Sequence, residues 1–149
     1  MILRLQARLG RRDRGRAIVE FLVVGLLVLV PIVYFVVTLS RVQAAAFAAS
    51  TASREAGRAF TTATTEDDAY VRAGAAARIS FEDYDFGADG TVGLNCDGSP
   101  CLRPEGRVEA VATVRVRLPL IPGLLSGAIP AVLPVSATHV ATVDRFRGR

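Results

Sequence analysis

With 149 residues the chain has room for one domain of ordinary size, and its formal net charge of +4 and pI near 9.8 raise nucleic acid as a partner. The placement of the charge excludes it, because residues 1–15 hold five arginines against one aspartate while residues 16–149 hold thirteen arginines and thirteen acids. All of the excess lies in the first fifteen residues, and no basic excess remains after them of the kind that grips nucleic-acid phosphates.

In chain order, residues 1–15 read as a basic cytoplasmic leader carrying Arg4, Arg8, Arg11, Arg12 and Arg14. One acid, Glu20, comes next, and then Phe21 to Leu39 pass without a charge. At about 1.5 Å per residue this run spans roughly 28 Å, close to the hydrocarbon thickness of a bilayer. It exceeds the roughly 7–15 apolar residues of a cleaved secretory signal, although Ala44-Ala45-Ala46 offers a small-residue site for that alternative. Arginines cluster before the run and Arg41 alone stands close after it, which predicts a cytoplasmic N-terminus and an extracytoplasmic remainder. Residues 16–40 are expected to form the transmembrane half of a long helix. Residues 41–60 would form its outer half, alanine-rich and with Val42, Ala45, Ala49 and Ala52 on one side. Pro31 removes a backbone donor within the span and predicts a kink.

Glu20 calls for an explanation, since a carboxylate at the edge of a membrane helix costs on the order of a few kcal/mol when inserted unpaired. Standing alone it would read as an interfacial acid balancing its arginine neighbours. Its surroundings carry more: a basic leader, Gly15, then Glu20 at the fifth place after the glycine, then an unbroken apolar helix. Together with Arg54-Glu55-Ala56-Gly57-Arg58-Ala59-Phe60 further on, Gly15-Arg16-Ala17-Ile18-Val19-Glu20-Phe21 resembles the N-terminal region of the TadE-like family of pseudopilins, the minor pilins of tight-adherence type IV pili. The resemblance covers about residues 14–60. It implies a pilin-like fold, cleavage between Gly15 and Arg16 by a membrane prepilin peptidase, and assembly with other pilin or pseudopilin subunits and the pilus assembly machinery. It also implies that Glu20 neutralises the new terminal amine of a neighbouring subunit, each charge lowering the cost of burying the other. Arg16 departs from the small or apolar residue common at the first mature position.

Residues 61–149 read as an extracytoplasmic α+β domain. Thr65 directly before Glu66, Asp67 and Asp68 predicts a capped helix start, with a second short helix from Glu66 to about Arg78 packing along the first. Ile79 and Phe81 then alternate with polar residues, and Gly87, Gly90 and Gly93 punctuate the next stretch, which predicts a change from helical to strand period. Val108, Ala110, Ala112, Val114, Val116 and Leu118 alternate with polar residues as a half-buried strand, and Val135 to about Phe146 predicts another. The expected fold class is therefore α+β: a long N-terminal helix, a second short helix and a small antiparallel sheet laid on the helix. Between the strands, Leu118 to Val135 holds Ser126 as its one polar side chain. Its length suits a second span, but Pro119, Pro122, Pro130 and Pro134 oppose a regular helix, and the segment reads as a contact surface for the bilayer or a neighbouring subunit.

Cys96 and Cys101, the two cysteines of the chain, flank Asp-Gly-Ser-Pro, a turn sequence that predicts a disulfide. Two thiols and one distant histidine are too few for structural zinc, and the spacing is not that of a redox dithiol. Asp85, Asp89 and Gly90 begin a calcium-loop pattern that Gly87 and Cys96 break. His139, on the apolar side of the last strand, reads as structural, and Gly123-Leu-Leu-Ser-Gly127 lacks the central serine of a nucleophile elbow. No catalytic constellation, metal or cofactor is expected, and the chain reads as a non-enzyme. The alternative to the pseudopilin reading is an uncleaved, single-pass envelope protein whose outer domain binds a ligand or another protein.

Overall fold

The computed structural model describes residues 2–118 and 132–146, with side chains from residue 17 onward in those ranges. Its elements run α1 (Ile2–Thr62), α2 (Glu66–Asp83), β1 (Gly90–Cys96), β2 (Arg107–Arg117) and β3 (Val132–Thr142). The chain divides into two units, Met1–Leu39 and Ser40–Arg149. The first is the N-terminal part of α1, basic residues followed by the apolar run, which continues through Pro31 as helix. Among the described residues one helix, over Ala17–Thr62, is long and apolar enough to cross a membrane.

The second unit is the expected α+β fold. Its three strands form an antiparallel meander in the order β1-β2-β3. In register, Val92 faces Ala112, Leu94 faces Ala110, and on the other side Ala137 faces Ala112 and Ala141 faces Val108. Period-two alternation puts Val108, Ala110, Ala112, Val114 and Val116 of the central strand into the core. The outer half of α1 supplies the opposing face with Ala45, Ala49, Ala52, Ala56 and Phe60, a helical spacing in which every residue is fully buried. Small side chains let the backbones approach closely. A Cβ built on Gly57 would stand 3.1 Å from the Ala141 Cβ and 3.4 Å from His139 Cδ2. His139 thus belongs to the partly buried face of β3 that meets α1.

Helix α2 starts where the cap pattern places it: Thr65 is extended at φ −125° and its hydroxyl accepts the Asp68 N–H at 3.3 Å. Its end differs from expectation. The helix runs to Asp83 rather than Arg78, so Ile79 and Phe81 are helical and do not begin a strand. Ala69, Ala73, Ala77, Ser80 and Phe81 are all buried, and that longer 3.6-residue stripe outweighs the short alternation over residues 79–81. A Schellman turn then ends the helix: Phe86 N–H donates to the Phe81 carbonyl (2.8 Å), Asp85 N–H donates to the Glu82 carbonyl (3.1 Å), and Asp85 adopts φ +63°. Phe81 and Phe86, the two ends of that turn, are both in the core.

Two strand boundaries also differ. Gly90 and Gly93 lie within β1 and do not interrupt it. Gly90 is required there, because a Cβ at this position would collide with the Phe81 ring. β3 begins at Val132, three residues before the expected Val135, and includes Pro134; as an edge strand it tolerates a residue without an N–H. It stops at Thr142, beyond which the Asp144 carboxylate accepts the Phe146 N–H at 2.9 Å and turns the chain. The interior of the apolar segment Leu118 to Val135, residues 119–131 with Ser126, lies outside the described residues.

Filling the space of Gly90 generates a test. Gly90→Ala should cost about 1–3 kcal/mol by overpacking, read from thermal unfolding of the full chain in detergent, and the same substitution should cost much less when Phe81 is already alanine. Equal losses in both backgrounds would rule out the Gly90–Phe81 contact as the cause.

Candidate functional site

Two groups of residues carry the functional expectations: the exposed first part of α1 around Glu20, and the disulfide loop between β1 and β2. The first is defined by what surrounds it. Ala17 to Val33 are exposed without interruption, with Phe21 at 77% and Leu27 at 70%. Glu20 is the one charged side chain from Ala17 to Leu39. It is exposed and makes no ion pair among the described residues. Gly15 and Arg16 lie in the same helix, and their surroundings lie outside the described side chains. A helix with bulky apolar residues on all sides has no polar face to offer water. It suits lipid or the apolar faces of other such helices, where a lone carboxylate needs a positive partner.

The second group was half legible in sequence. Cys96 ends β1, and the structure joins it to Cys101 in a disulfide whose Cα atoms are 5.4 Å apart. The loop so closed is held to the start of α2, where the Cys101 N–H donates to Glu66 Oε1 at 2.6 Å. Tyr70, one turn on, places its hydroxyl 3.9 Å from the Cys101 sulfur. Its ring meets Phe60 of α1 edge-on with centroids 5.0 Å apart. Phe60, Tyr70, Glu66 and Cys101 therefore link α1, α2 and the disulfide loop in one chain of contacts. In sequence Glu66 reads only as a first-turn acid, and nothing in its spacing signals a partner thirty-five residues away.

Asp97 completes the loop. Its carboxylate accepts the backbone N–H of Arg107 at 3.0 Å and an Arg103 guanidinium N–H at 2.9 Å, while its own N–H donates to the Arg107 carbonyl at 3.0 Å. The Arg107 N–H, and secondarily the Arg103 charge, hold the carboxyl below its ordinary 3.8. Of the calcium-like acids, Asp85 is the left-handed residue after α2 and Asp89 receives the Arg117 guanidinium at 2.8 Å. Among the described residues no group of three or more histidine, cysteine or acidic side chains could hold a metal.

No family model, no curated protein and no solved structure matches this chain.

Because Asp97 has a depressed pKa in the folded state, its contribution to stability is present above pH 3.8 and is lost as the pH falls through the lower folded value. Carboxyl NMR of the full chain should place its midpoint below 3.8. A midpoint at or above that value would contradict the hydrogen-bonded arrangement.

Proposed function

We propose that the chain is a pseudopilin, a minor-pilin-type subunit of a tight-adherence type IV pilus, serving pilus biogenesis and adhesion. In this reading a prepilin peptidase cuts between Gly15 and Arg16 on the cytoplasmic side of the membrane. The mature subunit then joins its neighbours through the apolar part of α1, with the second unit on the extracytoplasmic side. The observation that carries the reading is the placement of Glu20: one exposed carboxylate five residues after Gly15, directly before the uncharged apolar run Phe21 to Leu39 of α1.

Such a carboxylate has a specific physical use. Cleavage after Gly15 creates an amine at Arg16, one helical turn before Glu20, and burial of that amine among apolar helices is unfavourable without an anion. A neighbouring subunit's Glu20 supplies it, and the geometry of a helix bundle sets the stagger at which the two meet. Supporting features are the continuity of α1 from the apolar run into the domain that it carries, and a disulfide suited to an oxidising compartment. Removing residues 1–15 also leaves a chain with equal numbers of arginines and acids, so subunits can pack side by side without net repulsion.

Glu20→Ala should leave processing largely intact, since the glycine remains, and should remove the subunit from sheared fibre fractions while membrane levels are maintained. Wild-type amounts of the variant in the fibre fraction would sink the pairing role.

A further inference from the structure

One end of the second unit, the end that holds Arg41, carries a second feature. The Gly57 position of α1 lies against Ala110 of β2. Going down from that contact, Arg41 is about 24 Å away along the helix at 1.5 Å per residue. Arg117 is about 24 Å away along β2 at roughly 3.4 Å per residue. Helix and strand therefore reach the same level, and Arg41, Asp85, Phe86, Asp89, Arg115 and Arg117 line one depression there. Arg117 is tied to Asp89 at 2.8 Å. Arg41 and Arg115 are exposed and make no ion pair among the described residues, and the three arginines outnumber the two aspartates.

Apolar residues border this basic end. Arg117 pairs in register with Val132 and Val116 with Leu133, and Val132 and Leu133 are 42% and 40% exposed. Leu118 and Val132 both stand at this end, and apart from Ser126 the thirteen residues between them in sequence have side chains that are apolar or absent. Arg41 itself stands two residues beyond Leu39, the last residue of the uncharged run. Arginines with apolar stems beside exposed Val and Leu are the composition that settles at the boundary between headgroups and acyl chains.

The geometry points to a second membrane contact: the end of the second unit formed by Arg41 of α1 with Arg115, Val132 and Leu133 of the sheet rests in the phospholipid headgroup layer of the leaflet from which α1 emerges. This rests on α1 spanning the membrane, and not on cleavage or pilus assembly. The contact would hold the second unit down on the bilayer before assembly, and extraction of the helix would have to break it.

The test uses the full chain in mixed phosphatidylcholine and phosphatidylglycerol vesicles, spin-labelled singly through Leu133→Cys, Thr138→Cys or Phe35→Cys. The native cysteines are disulfide-bonded and stay unlabelled. Oxygen, which concentrates in lipid, and a water-soluble nickel chelate report the depth of each label. The expected result is a bilayer-interior signal at 35, an aqueous signal at 138, and an oxygen-to-nickel ratio at 133 several-fold above that at 138. Adding Arg41→Gln and Arg115→Gln should raise nickel access at 133 several-fold. Equal ratios at 133 and 138 with position 35 still in lipid would overturn the contact and leave the span standing. A label at 35 reporting water would overturn both, and unchanged nickel access in the arginine variant would overturn the role given to the headgroups.

Discussion

The structure depends on one constraint: the first part of α1 presents bulky apolar side chains on every side. At about 1.5–3 kcal/mol for each such side chain removed from water, the run from Phe21 to Leu39 represents tens of kcal/mol that a soluble chain would forgo. The described residues offer it no protein cover. By length and composition this helix is able to cross a membrane, and the distribution of charge along the chain is uneven around it. The arginine excess sits before the run, and the residues after it are balanced.

The same helix then changes its chemistry without breaking. Valine, leucine and phenylalanine dominate up to Leu39, and alanine takes over from Ala44. The switch in side-chain volume marks the switch in partner. The large side chains stay exposed, whereas alanines and Gly57 bring the helix backbone down onto β2 and β3. A domain with so many alanines gains little from each buried side chain, which gives weight to its specific ties. The Phe60–Tyr70 ring contact, the Glu66 bond to the Cys101 amide and the disulfide all sit at the end of the domain where α1 meets α2.

Much of this was legible because the relevant signals are local or strongly periodic. The apolar run, the Thr65 cap, the inward face of β2 and the Cys96–Cys101 pairing each depend on residues close in sequence. What escaped depends on distant partners. Phe81 reads as a strand residue until Gly90 is seen to lie beneath its ring, and Gly90 reads as a turn until Phe81 explains the missing side chain. Pro134 is an obstacle to a strand only until β3 is known to be an edge. At the candidate site, Glu20 was conspicuous as a lone charge in an apolar helix, while the Glu66 and Asp97 bonds to the loop have no sequence signature.

The proposed pseudopilin role requires that the chain be cut after Gly15, which fixes the mature N-terminus. Intact-mass measurement on protein taken from its native membrane reads that terminus directly. Processing after Gly15 predicts a mature chain that begins at Arg16, with its disulfide in place. A chain that begins at Met1, or at Phe47 after the small-residue site, would contradict it.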